Sequence, residues 1–172
     1  IRNSAILTLC TTLVTVGITF PAAYGLSRSS SRLLRGLSIG AIIFGMFPRI
    51  IITVPLFPIL NDIGLQNSRI TLVVLYSAAQ STVIVWIMKA FIDRIPVELE
   101  QAAFVDGASR LQAFLRIVVP LSRPILVAGA VLAAVSAWNE YIFALLFTSG
   151  STRTTPVIIA GMINDLSGPN WG

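Results

Sequence analysis

Residues 100–120 read EQAAFVDGASRLQAFLRIVVP, and this stretch decides the fold. It lies between long apolar runs, yet it holds Glu100, Asp106, Arg110, Arg116 and an Asp-Gly step. Its periodicity predicts two short helices joined at a glycine. Pro96 suits the first helical position, where its missing N–H costs nothing. Glu98 and Glu100 fall in the first turn, where the positive end of the helix dipole favours carboxylates. Leu99, Ala102, Ala103 and Asp106 share one face at helical spacing, and Gly107 follows as a left-handed cap requires. Ser109 and Gln112 have the spacing of a capping box. Leu111, Phe114, Leu115 and Val118 then form an apolar stripe, with Arg110 and Arg116 off it, and Pro120 and Pro124 close the element. Small alanines let another surface approach closely, and a capped, hinged pair of helices transmits a push that a floppy loop would absorb. A membrane-surface helix pair that only links two spans fits the same pattern.

The surroundings put this polar island in a membrane protein. Of 172 residues, 55% are hydrophobic and 11% charged, against about 25% charged in a soluble domain. The net charge of +5 comes without a basic run interleaved with aromatics, so it does not point to nucleic acid; the arginines cluster at the ends of apolar runs, as membrane topology demands. Cys10 is the single cysteine and histidine is absent, which excludes an intrachain disulfide. No cluster has metal-ligand spacing, and Cys10 reads as a small apolar residue.

Four apolar segments, about 5–26, 33–57, 70–91 and 125–147, are each long enough to cross a bilayer, which takes roughly 20 helical residues. Their apolar character is continuous, so the expected class is all-α, a polytopic bundle of transmembrane helices and not a barrel. Pro48, Pro55 and Pro58 interrupt the second segment, and 47–57 is expected to leave regular helix and line an interior path. A fifth run, Pro156 to Ile163, is too short to span and reads as a surface or re-entrant helix. The loop 92–124 is the one sizeable polar region and holds Asp93, Glu98, Glu100 and Asp106. Arg28, Arg32, Arg35, Arg94, Arg110, Arg116 and Arg123 lie on its side of the membrane, against Arg69 and Arg153 on the other. The positive-inside rule therefore makes the loop cytoplasmic. Lys89 is placed to snorkel from the end of the third segment. The chain starts without Met and ends SGPNWG without an anchor, as an internal piece of a longer protein would.

The segment VELEQAAFVDGASRLQAFLRIVVP from Val97 closely resembles the cytoplasmic loop of the membrane-spanning permease subunits of bacterial ABC importers, known there as the EAA motif. That pattern is Glu-Ala-Ala, three residues, Gly, then a hydrophobic stretch ending in Pro. Ala102, Ala103, Asp106, Gly107, Phe114, Ile117 and Pro120 match it. Gln101 stands at the Glu position, a departure that removes a charge. Glu100, one residue earlier, points about 100° away. Asn3-Ser4, AAYGLSR (22–28), VPLF (54–57) and GLQNS (64–68) resemble further parts of the family, and WNEY (138–141) resembles its carbohydrate-type subgroup, whose best-known members serve maltose uptake. The family commonly has six spans, so the four here would be the second to the fifth, with PNWG leading into the last.

The resemblance implies a subunit that forms half of a translocation pathway for a sugar or related solute in the bacterial inner membrane. It implies a second permease subunit, two ATP-binding cassette subunits, an extracytoplasmic solute-binding protein and surrounding lipid as partners, and no nucleic acid. Glu100, Gln101, Ala102, Ala103, Asp106 and Gly107 are the expected coupling residues. No G-x-x-x-x-G-K-[ST] pattern occurs, so no cofactor is expected on this chain, ATP and Mg belong to the partner subunits, and the chain is not an enzyme by itself. Asn139, Glu140 and Arg49 are candidates for lining the pathway, because polar groups in spans face the bundle or a cavity; a contact between helices, or a place at the membrane surface, accounts for them equally. An ion-gradient-driven transporter or channel is the alternative, although Glu140 is the single carboxylate within a span and no internal repeat is visible. An intramembrane enzyme would need a base that the serines here lack.

Overall fold

The computed structural model describes residues 1–45 and 47–167; the side chains of Phe44, Arg49, Ser151 and residues 164–167 lie outside that description. PNWG (169–172) lies outside it as well. The described chain is all-α, without a strand among the described residues.

Two apolar runs become uninterrupted helices. Helix α1 (Arg2–Arg28) has no charge between its terminal arginines, and α4 (Arg69–Ile92) starts at Ser68, whose hydroxyl accepts from Thr71 N–H. At 27 and 24 residues they are about 40 and 36 Å long, more than the roughly 30 Å hydrocarbon core. The buried face of α1 is a stripe of Ser4, Leu7, Thr11, Thr15, Thr19 and Ala23. Such small side chains let neighbouring backbones come close in lipid, where packing and hydrogen bonds replace the hydrophobic effect. Gln80 Nε2 of α4 donates to Thr15 Oγ1 at 3.1 Å, and Thr19 Oγ1 donates to Met88 Sδ at 3.5 Å. Leu9, Leu13 and Ile18 on the other face are exposed, as lipid contact allows.

Helix α8 (Arg123–Trp138) completes the interior by burying Gly129, Ala133 and Ala137. A Cβ at Gly129 would lie 2.4 Å from Met88 Cε, so the glycine sets how closely α8 meets α4. One apolar cluster, including Phe20, Ile84, Met88, Ile92 and Val118, lies toward the loop end. A second, including Leu7, Leu72, Tyr76, Phe143 and Phe147, lies toward the other.

The other two runs are broken, contrary to their reading as single spans. Residues 33–45 lie in α2 (Arg32–Gly45) and residues 49–57 in α3 (Arg49–Asp62), of 14 residues each. At roughly 21 Å neither crosses a bilayer alone. The break lies at Phe47-Pro48, where the residue before a proline is pushed out of helical backbone. Residues 49–57 do not leave the helix as expected: α3 continues through Pro55 and Pro58. Each proline forfeits one hydrogen bond, but the φ it imposes is already helical. Residues 125–147 break at Asn139–Tyr141, between α8 and the short α9 (Ile142–Phe147). Beyond a turn, α10 (Thr155–Ser167) contains the fifth apolar run; its 13 residues span about 20 Å, too little to cross.

The end opposite the loop is joined by polar contacts. Asn3 Nδ2 donates to the Arg153 carbonyl at 3.2 Å, Arg69 donates to Asn3 Oδ1 at 3.1 Å, and Thr155 N–H donates to Ser4 Oγ at 2.8 Å. Asn67, at φ 61°, accepts from Ser149 N–H at 3.0 Å and from the Thr152 hydroxyl. Arg2 opens α1 at this same end, so three arginines stand there against seven on the loop side, a smaller bias than the sequence count suggested.

Candidate functional site

The loop folds into α5 (Glu98–Val105), a glycine turn and a rod at Arg110–Leu121. Pro96 sits two residues ahead of α5, not at its first position, and leads in through a turn closed by Glu100 N–H to the Val97 carbonyl. Gly107 adopts φ +86°. Its N–H donates to the Phe104 carbonyl at 3.1 Å and Ala108 N–H to the Ala103 carbonyl at 2.9 Å. This paired pattern is a Schellman C-cap. Ser109 and Gln112 form the capping box in both directions, at 3.3 and 2.8 Å. Both helix ends at the bend are therefore satisfied.

The rod consists of α6 (Arg110–Ala113), a π-turn (Phe114–Val118) and α7 (Val119–Leu121). Pro120 lacks an N–H, and in a regular helix its ring would clash with the carbonyl four residues back; the π-turn beside it is the kind of local unwinding that accommodates such a residue. The extra residue in that turn rotates the face beyond it. Ala113 and Val118 are buried, whereas Leu111 and Leu115 are exposed, so the stripe read from the sequence is only half of the inward face. The rod meets α8 at 74°.

Around the bend, Leu99, Gln101, Ala102 and Asp106 are exposed and Ala103 is half-buried. Ala103, Asp106, Gly107, Ala108, Gln112 and Arg116 line a shallow groove of about 430 Å³. Glu100 is turned the other way, which corrects its grouping with the outward residues. It is 3% exposed. Tyr24 Oη donates to its Oε2 at 2.5 Å and Arg28 Nε to its Oε1 at 2.7 Å. Arg28 also donates to the Ile95 carbonyl at 3.0 Å. Removing one partner of such a buried pair costs on the order of 3–5 kcal/mol, because it leaves a charge without compensation. One turn away, Ser27 Oγ donates to Asp93 Oδ1 at 2.6 Å and Lys89 Nζ to Asp93 Oδ2 at 2.7 Å. Partial burial pushes the Asp93 carboxyl up, but the bonds from Lys89 and Ser27 outweigh it and hold the group below the usual carboxylate range. Phe114 of the π-turn packs on Phe20 and Tyr24, with ring centroids 5.5 and 4.8 Å apart. More than 70 residues separate Tyr24 and Arg28 from Glu100, so no local pattern marks them as its partners; the basic end of AAYGLSR is the one clue.

Of the candidate pathway residues, Asn139 and Glu140 take separate partners. Glu140 is buried and its Oε1 accepts from Phe143 N–H at 3.0 Å, capping the start of α9. Asn139 is exposed, and its side-chain amide donates to the Val135 carbonyl at 2.8 Å; it borders an open cleft with Trp138, Thr155 and Ile159. The backbone of Arg49 opens α3, but its side chain lies outside the described residues. A more enclosed cleft of about 350 Å³ between α3, α4 and α8 is lined mainly by apolar residues, among them Leu56, Leu75, Val83 and Leu132, with Gln80 and Ser136. Among the described residues no group of acidic or cysteine side chains could hold a metal ion.

Residues 14–169 match the family described as "Binding-protein-dependent transport system inner membrane component". A putative ABC transporter permease protein of Streptomyces antibioticus is 35% identical over 162 residues, 94% of this chain and 71% of that protein. A trehalose/maltose transport system permease protein of Thermococcus litoralis is 37% identical over 161 residues, 93% of this chain and 58% of that protein. The crystal structure of a bacterial ABC transporter involved in the import of the acidic polysaccharide alginate superposes with a TM-score of 0.82 at 25% identity, covering 98% of this chain and 59% of the matched one. The chain thus spans a little under three fifths of the last two.

Proposed function

Since this chain belongs to the family of binding-protein-dependent transport system inner membrane components, we propose that it is the membrane-spanning subunit of an ATP-driven importer. It contributes half of a translocation pathway for a sugar or related solute, and the bend at Gly107 is where an ATP-hydrolysing subunit docks. The observation that carries this reading is the bend itself: a doubly capped turn with a shallow groove and small, exposed side chains, held rigidly on one end of a membrane bundle. Gln101, Ala102, Ala103, Asp106 and Gly107 form the docking surface, and Glu100 contributes from behind it. Gln101 is uncharged, so the contact at that position rests on hydrogen bonding.

The chain performs no hydrolysis of its own. ATP and Mg are held by two cassette subunits, a second permease subunit completes the pathway, and an extracytoplasmic binding protein delivers the solute. Asn139, beside its open cleft, is the candidate for solute contact on the side opposite the loop. Glu140, committed to capping α9, supplies stability there.

The test uses the full-length protein purified with its ATPase partner, reconstituted with the binding protein, and given trehalose and maltose as first solutes. Ala103→Asp places a charge in the close contact, and Gly107→Pro removes the positive φ. Both are expected to abolish ATP-driven uptake of whichever sugar the native complex takes up, while ATP hydrolysis continues. Uptake at the native rate in both variants would sink the proposal. Uptake by the native complex without ATP would favour the gradient-driven alternative.

A further inference from the structure

The same residues that turn Glu100 away from the docking surface connect the loop to one particular span. Arg28 and Tyr24 lie on the last two turns of α1, and both bind the Glu100 carboxylate, at 2.7 and 2.5 Å. Arg28 reaches the Ile95 carbonyl ahead of α5. Phe20 and Tyr24 carry the ring of Phe114. Polar and aromatic contacts from four residues of α1 (Phe20, Tyr24, Ser27 and Arg28) thus seat the linker, α5 and the π-turn together. Charge-assisted hydrogen bonds are short and directional, and those at Glu100 are shielded from water, so screening is weak.

We infer that Tyr24, Arg28 and Glu100 form a clamp that makes α1 and the α5 bend one mechanical unit, so that a push on the bend is delivered to the end of α1. The three are positioning residues: none meets solute or nucleotide. The push itself rests on the importer reading, but the tie does not, and the two are separable by experiment.

The measurement is the distance between spin labels in the full-length chain in lipid nanodiscs, with Cys10→Ser as background. One label is at Gly25→Cys on α1, where a Cβ meets nothing within 4 Å, and one at Glu98→Cys, an exposed position of α5. Without any partner, a single narrow distance is expected. Glu100→Ala and Arg28→Ala should each broaden it, and the double variant by less than the sum of the two, because both remove the same Arg28–Glu100 bond. Arg28→Lys, which keeps the charge, should keep the narrow distance. With the ATPase partner present and trapped by ATP and vanadate, the native distance should stay fixed, whereas in Glu100→Ala it should change. A narrow distance in Glu100→Ala, additive broadening, or a native distance that changes on trapping would overturn the clamp. Failure of the ATPase to co-purify counts against the importer reading alone, and the partner-free distances still decide the tie.

Discussion

Gly107 is the residue on which the bend turns, and its requirement is conformational, not steric. Its φ of +86° lies in the left-handed region, yet an added Cβ would meet nothing within 4 Å. The cost of any other residue there is therefore backbone strain, about 1–2 kcal/mol for an L side chain. Gly107→Ala is expected to leave the docking groove's outline unchanged while weakening the C-cap. Hydrogen exchange at the Ala108 amide, bonded to the Ala103 carbonyl, should speed up roughly 5- to 30-fold, the equivalent of that strain. Unchanged exchange would mean that the capping box at Ser109 holds the turn alone. The glycine was legible because a left-handed cap leaves a mark in the local sequence. Glu100 was not: helical geometry fixes its angle to Gln101, but which direction is inward depends on Arg28, on another helix. Local chemistry can be read from neighbours in sequence, whereas the partner of a buried charge cannot.

The same division runs through the helices. The runs behind α1 and α4 are recognisable because composition and length suffice for a span. The capping box was readable because its partners are three residues apart. The breaks were harder. Three prolines in the second run are not equivalent: Pro48 stands outside a helix as the N-cap of α3, whereas Pro55 and Pro58 lie inside α3. The fourth run reads as one continuous span, but α8 ends at Trp138 and the Glu140 carboxylate caps the start of α9. The π-turn left no local signal beyond Pro120, and Leu111 and Leu115 are exposed although they belong to the apolar stripe. Contact between helices was equally hidden, and Gly129 is its clearest case. In α8 it faces Met88, whose terminal carbon would be 2.4 Å from an added Cβ. That carbon is the far end of a flexible chain, so Gly129→Ala should be absorbed by a shift of Met88 at a cost near 1 kcal/mol. Gly129→Leu has no such outlet and should cost about 3 kcal/mol or more, as overpacking does. Thermal unfolding in detergent should rank native, Ala and Leu in that order. A Leu variant as stable as Ala would show that α8 is free to move away from α4.

At the scale of the molecule, charge and packing give one orientation. Arg28, Arg32, Arg35, Arg94, Arg110, Arg116 and Arg123 accompany the bend, whereas Arg2, Arg69 and Arg153 stand together at the other end, where Asn3 bonds both Arg69 and the Arg153 backbone. Basic residues near span ends set orientation by remaining on the cytoplasmic side, and seven against three favours the bend there. Cys10 lies within the apolar run of α1, a third of the way along it, and is exposed. Single cysteines therefore report on the arrangement. In intact cells carrying the full-length Cys10→Ser chain, Val105→Cys, at 88% exposure on α5, should react with a membrane-impermeant maleimide only after the membrane is opened. Arg153→Cys should react from outside before it is opened. In the chain that keeps Cys10, that thiol should be silent to the impermeant reagent in both conditions and react with a lipid-soluble one. Labelling of Val105→Cys from outside would invert the molecule and detach the Gly107 bend from any cytoplasmic motor, whereas the Tyr24–Arg28–Glu100 clamp would remain, tying the same two helices on the wrong side.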